Sequence, residues 1–236
     1  MRDRIIFYST SNLMAFAGLL LIFVFISAMR SNPVQQTYTL LSLGDSYTIG
    51  EKVLPGENFP NQAAALLRDS RLDFRKPRIV AKTGWTTDEL LAAVEKARLR
   101  RQYDFVTLLI GVNNQYRGRP VENYIPELET LIRKALHFSG NRPEHVIMLS
   151  IPDWSVTPFA AVRNRELMKK EVAEYNAAGK LLAAKYGIHY IDITPGTQKA
   201  ANDLSLLAED GLHPSAKEYA VWAAEVAAII KKKISE

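Results

Sequence analysis

The sequence predicts an α/β fold, one three-layer α/β/α sandwich built on a five-stranded parallel sheet. Three observations lead there. Five short runs rich in Val, Ile and Leu are almost continuously apolar, as strands buried on both faces are. The stretches between them carry apolar residues at helical spacing. After Pro33 no linker, low-complexity segment or internal repeat divides the chain. Strand and helix alternating in this way give parallel strands joined by right-handed crossovers.

The strands are expected at residues 37–43, 78–82, 105–110, 145–151 and 189–193. Thr86-Thr87-Asp88-Glu89 reads as a capping box, and Leu90, Leu91, Val94 and Ala97 follow it as an apolar stripe. Ile125, Leu128, Leu131, Ile132, Ala135 and Leu136 form a second stripe. Ser215-Ala216-Lys217-Glu218 repeats the box before a last helix that should bury Tyr219, Trp222, Ala223, Val226 and Ile230. That helix ends in Lys231, Lys232 and Lys233, which suit the negative end of its dipole.

The amino terminus stands apart. Residues 5–29 carry no charge, and residues 13–29 are almost wholly apolar, preceded by Arg2 and Arg4. Residues 1–30 are therefore expected to be a cleaved export signal, with Ser27-Ala28 near the cut, or a membrane anchor of nearly spanning length. Residues 31–236 form the folded domain. It is expected to work outside the cytoplasm, periplasmic or extracellular, and to meet a membrane only through an uncleaved amino terminus.

Composition narrows the chemistry. The 236 residues contain no cysteine, which excludes disulfides, thiolate metal sites and a cysteine nucleophile. His137, His145, His189 and His213 lie far apart without His-Glu-x-x-His spacing, so no metal is expected. The net charge of +5 comes from basic residues interspersed with acidic ones, which suits solubility and gives no nucleic-acid footprint.

In a parallel sheet, function gathers in the loops leaving the carboxyl ends of the strands. The first such loop reads Gly44-Asp45-Ser46-Tyr47-Thr48, where a glycine lets the backbone turn and present a serine hydroxyl; the alternative is a turn whose Asp or Ser caps a helix. Thr48 stands where a Gly-x-Ser-x-Gly elbow would have its second glycine. The second loop offers Gly84, whose N–H could donate to an anionic oxygen, or which is a plain loop glycine. The third, Gly111-Val112-Asn113-Asn114-Gln115, offers an amide donor or an Asx-turn. The last, Asp210-Gly211-Leu212-His213-Pro214, sets an acid three residues before a histidine. A serine hydroxyl needs a neutral imidazole to take its proton, and the imidazole needs a carboxylate to hold its tautomer.

Together these four turns resemble the SGNH (GDSL-type) hydrolase family, from about Thr39 to the last helix. The resemblance implies a flavodoxin-like sheet, Ser46 as nucleophile, His213 as general base and Asp210 as the residue orienting it. It implies an oxyanion hole made of the Ser46 and Gly84 backbone N–H groups and the Asn113 side chain. Where the family usually has Gly-x-Asn-Asp, this chain has Asn114 in place of the aspartate. The reaction implied is ester hydrolysis through an acyl-serine, without metal or cofactor, on a small-molecule, glycan, cell-wall or lipid ester; lysophospholipases and acetylesterases both belong to the family. An acyltransferase using the same triad and a non-catalytic binding protein are the alternatives. Tyr47, Trp85, Tyr116 and Trp154 are the candidate substrate-binding residues, with Gln115, Arg117 and Phe159 on the same loops.

Overall fold

The apolar runs of the sequence become the strands of one parallel sheet, because the inner ones are too apolar to leave either face in water, while the edge strands at 78–81 and 189–191 are only partly buried. The computed structural model describes residues 36–236. The segment expected to be an export signal or anchor, 1–30, lies outside the described residues. The sheet consists of β2 (Leu40–Gly44), β4 (Arg78–Ala81), β5 (Phe105–Leu109), β6 (Val146–Leu149) and β7 (His189–Ile191), in the order β4-β2-β5-β6-β7. Every pairing is parallel. β2, β5 and β6 are buried along their whole lengths. Their two interior hydroxyls satisfy each other: Ser42 and Thr107 are register partners, and Thr107 Oγ1 donates to Ser42 Oγ at 2.8 Å.

The helices are α1 (Ser46–Ile49), α2 (Phe59–Asp69), α3 (Thr87–Lys96), α4 (Val112–Tyr116), α5 (Val121–Phe138), α6 (Arg165–Tyr186), α7 (Thr194–Thr197) and α8 (Ala216–Ile234). α2 packs against α8, while α5 packs against both α3 and α6, so helices flank the sheet in two groups. The last helix buries Tyr219, Trp222, Ala223, Val226 and Ile230 as expected. The sequence reading did not single out α2 or α6. Among the described residues, no helix is long and apolar enough to cross a membrane.

Several local expectations are corrected. The first run splits at Thr39, whose N–H and Oγ1 both donate to Asp104 Oδ2 at 2.7 Å; the piece before it, β1 (Thr37–Tyr38), pairs with β3 (Asp73–Phe74) in a separate parallel ribbon. The later strands end one or two residues short of the apolar runs, and His145 closes a 3₁₀ turn before β6. Ile125 is exposed, and Tyr124 takes its place in the buried stripe of α5. The box at Thr86 forms, with the Thr86 N–H donating to Glu89 Oε2 at 2.9 Å. The box at Ser215 does not: Ser215 Oγ donates to the Ser205 carbonyl, and Glu218 accepts from Trp222 Nε1 instead.

Sheet order positions the site. From β2, one strand in from the edge, the chain goes out to edge strand β4, then returns to β5 on the other side of β2. The loops after β2, β4 and β5 therefore open beside one another at a switch in strand order, where such sheets form a crevice.

Candidate active site

At the end of β2, Gly44 is required for space rather than for an unusual dihedral. A Cβ there would stand 2.1 Å from Thr48 Oγ1 and 2.4 Å from the Leu109 carbonyl oxygen, so only glycine lets the chain turn this close to β5. Asp45 then caps α1, its Oδ1 accepting from the Tyr47 N–H at 3.0 Å. Ser46 is the first residue of that helix, so its N–H is one of the helix-start donors without an intrahelical acceptor. The capping alternative and the serine-presenting one are thus both realised, by adjacent residues. Asp45 is fully buried, and burial pushes its carboxyl up to about 7, against the lowering effect of the Tyr47 N–H and the Asn113 amide.

The loop before α8 brings a histidine to the serine. His213 Nε2 lies 3.0 Å from Ser46 Oγ, and His213 Nδ1 lies 2.6 Å from Asp210 Oδ2. Asp210 Oδ1 accepts from the backbone N–H groups of Leu212 and His213, each at 3.0 Å. This tight return needs Gly211 at φ +64°, a left-handed conformation that favours glycine. Burial raises the Asp210 carboxyl, but the bonds from the His213 ring and from the two backbone N–H groups outweigh it and hold it below the usual value. An ionised Asp210 takes the Nδ1 proton's hydrogen bond, which leaves Nε2 to accept from the Ser46 hydroxyl.

Asn113 and Gly84 close the third side. Asn113 Nδ2 donates to the Trp85 carbonyl at 3.0 Å and to Asp45 Oδ2 at 3.3 Å, so both amide hydrogens are engaged; the longer bond is the one a stronger acceptor would take over. Asn114 points away from the cleft. Its Oδ1 accepts from the Thr87 N–H at 3.1 Å and its Nδ2 donates to Thr87 Oγ1 at 2.6 Å, tying the β5 loop to the start of α3. Gly84 has φ +83°, and its carbonyl accepts from Arg117 Nη2 at 2.6 Å.

Ser46, Gly84, Asn113 and His213 share one cavity of about 140 Å³. Its far wall is apolar, formed by Tyr116, Trp154, Phe159 and Leu212. Three of the four candidate substrate-binding residues, Tyr47, Tyr116 and Trp154, line it; Trp85 does not, because its indole packs on the core and the site uses only its carbonyl. Gln115 is buried behind the wall, accepting from Trp154 Nε1 and donating to Glu171 Oε2, both at 2.8 Å. Sequence reasoning missed Leu212, although it stands within the Asp–His loop, and missed Arg163, whose guanidinium lies 4.4 Å from the Tyr116 ring centre and 5.5 Å from that of Trp154. The other histidines are elsewhere: His145 stacks on Phe105 with Nδ1 2.7 Å from the Asp104 carbonyl, His189 lies in β7 and His137 on α5. Among the described residues, no cluster of His, Asp or Glu could hold a metal ion.

A family model, the GDSL-like lipase/acylhydrolase family, matches residues 42–221, the span from mid-β2 into α8. The chain belongs to that family. Membership of the GDSL family makes it an ester-bond hydrolase. Solved structures similar to it include Axe2, an acetylxylan esterase from Geobacillus stearothermophilus, at 20% identity and TM-score 0.63, covering 82% of this chain and 94% of that one. TesA aligns at 18% identity and TM-score 0.64, covering 84% of this chain and 99% of that one. EstA, a psychrotrophic esterase from Pseudoalteromonas sp., aligns at 18% identity and TM-score 0.61, covering 84% and 100%. At these identities the likeness is one of fold. A search of curated proteins by sequence finds no match.

Proposed function

We propose that this GDSL hydrolase is an exported serine esterase that cleaves carboxylic esters of carbohydrate, cell-wall or lipid type through an acyl-serine intermediate. The observation that carries the reading is the hydrogen-bonded line from Asp210 through His213 to Ser46, at 2.6 and 3.0 Å. As the Ser46 Oγ–carbon bond forms, the hydroxyl proton passes to His213 Nε2, and the imidazolium is stabilised by Asp210. The carbonyl oxygen becomes an oxyanion held by the Ser46 and Gly84 N–H groups and by Asn113, which shifts its longer bond from Asp45. His213 then gives its proton to the departing alkoxide as the ester C–O bond breaks, and water repeats the sequence on the acyl-serine. The apolar wall of Tyr116, Trp154, Phe159 and Leu212 receives the acyl group or the face of a sugar ring.

Labelling with a fluorophosphonate tests this reading. The probe should phosphonylate Ser46 in the parent and fail in Ser46→Ala; labelling elsewhere, or none while esters are hydrolysed, overturns the assignment. Acyl release measured with and without an added alcohol acceptor distinguishes hydrolysis from acyl transfer.

A further inference from the structure

Five cations converge at the end of the sheet opposite the catalytic cleft. Arg75, Lys76 and Arg78 lead into β4, and Arg98 and Arg100 follow α3; together with Tyr103 they line a groove of about 280 Å³ floored by Thr39 and Leu40, where β2 begins. All five are exposed. None has a carboxylate within salt-bridge distance among the described residues, although surface pairs form at several other places. The carboxylates on the same edge are engaged otherwise: Asp104 accepts from Thr39, and Asp73 accepts from Thr37 Oγ1 at 2.5 Å. Two short basic runs of the sequence, 75–78 and 98–101, are thus gathered by folding, because the approach to β4 and the segment after α3 run side by side. Five like charges, none of them paired with a carboxylate at salt-bridge distance, repel one another, and an anionic surface relieves that repulsion.

We propose that this groove docks on an anionic phospholipid surface, holding the domain with its catalytic edge turned away from the bilayer. Three observations favour a membrane over other polyanions. The groove stands at the end of the domain where the chain arrives: Thr39 and Leu40 line it, and the apolar run that ends at Met29 lies a short stretch upstream. It offers no stacking platform for nucleic-acid bases, since Tyr103 is only 5% exposed. Its cations are solvent-facing and spread over two segments, which suits a field of headgroups better than one small anion. Each lysine or arginine near such a surface favours binding about fivefold. Because all five strands run parallel, with the groove at their amino ends and Ser46, Gly84 and Asn113 beyond their carboxyl ends, docking presents the cleft to esters outside the membrane rather than to lipids within it.

The full chain, reconstituted in vesicles of phosphatidylcholine alone or mixed with phosphatidylglycerol, tests this. A membrane-impermeant amine-acylating reagent is applied, and acylation of Lys76 is read by peptide mass spectrometry against that of Lys170, exposed on α6. The ratio also cancels chains facing the vesicle interior. We expect the Lys76 to Lys170 ratio to fall at least about fivefold in the anionic vesicles. It should recover in roughly 1 M salt, where the Debye length is about 3 Å. The variant carrying Arg75→Gln, Arg78→Gln, Arg98→Gln and Arg100→Gln should keep the phosphatidylcholine ratio in both lipids while hydrolysing ester at the parent rate, which shows that it is folded. Equal ratios in the two lipids overturn the proposal, as does an equal fall in the neutralised variant. Protection of Lys76 in phosphatidylcholine vesicles by added polyphosphate or oligonucleotide, to the degree anionic lipid achieves, reassigns the groove to a soluble polyanion and overturns it too. Ester hydrolysis, measured separately, is independent of these outcomes.

Discussion

Two adjacent asparagines in one loop do different work, and the hydrogen bonds explain why. Asn113 faces Ser46 with one amide hydrogen on a 3.3 Å bond to Asp45, whereas both polar ends of Asn114 are committed to Thr87. Asn113→Ala is expected to cost roughly 2.7 to 4 kcal/mol, about 10² to 10³ in kcat, with little change in KM. Asn114→Ala should instead lower stability by about 1 kcal/mol and activity only modestly. Kinetics of both variants on one ester decide the matter; a larger kcat loss for Asn114 would mean the donor is misassigned. Ser46→Ala should abolish turnover with the melting temperature nearly unchanged, and activity within about tenfold of the parent would remove it as nucleophile. Asp210→Asn should lower kcat by about 10³ to 10⁴, since the amide leaves the imidazole tautomer unfixed; a loss below about tenfold would take Asp210 out of the line.

At the level of elements, strand ends were legible and the wall only in part. Gly44 through Ser46, Gly84, Asn113 and the Asp210–His213 turn could be found because each lies on a short loop directly after a strand or before a helix, where local sequence carries the geometry. The Trp85 ring packs on the core outside the cavity while its carbonyl accepts from Asn113, because side-chain direction in an irregular loop is set by neighbours that sequence does not name. Phe159 and Leu212 meet Tyr116 across loops far apart in the chain. The Ser215 box failed because Ser215 found the Ser205 carbonyl outside the helix and Glu218 found the Trp222 indole one turn further along it. The wall itself rests on Gln115, which holds the Trp154 indole from behind. Gln115→Ala should cost about 1 to 3 kcal/mol by stranding buried partners. It should also raise KM more than it lowers kcat, because the wall moves while the Ser46–His213 line does not. Equal melting curves and unchanged KM would show that Trp154 is held by packing alone.

For the whole molecule, Asp45 imposes a pH dependence on folding. In the unfolded chain its carboxyl ionises at the ordinary 3.8, and in the fold burial moves it to about 7. Between those values the folded chain keeps a proton that the unfolded chain has lost, so this stabilising contribution is complete below about pH 4 and disappears as pH rises through about 7. Asp210 acts in the opposite sense, contributing stability above its unfolded value that is lost only in stronger acid, so the two windows do not overlap. Asp45→Asn should flatten the decline between pH 4 and 8, gaining on the parent by at most roughly 4 kcal/mol at the upper end, at 1.36 kcal/mol per unit. Denaturant titrations of both proteins across that range check this, and parallel profiles would show that Asp45 is ionised throughout.

The partner of Ser46 lies 167 residues further along the chain. On the proposed mechanism, a growing polypeptide therefore carries the reacting serine long before the histidine that would serve as its base, and in the interval the serine is an ordinary alcohol. Only when the segment containing His213 has arrived and α8 has packed against α2 does the hydroxyl acquire its acceptor. On that mechanism, activity requires both distant segments to be present and docked, so its appearance reports that the fold has closed from β2 to α8.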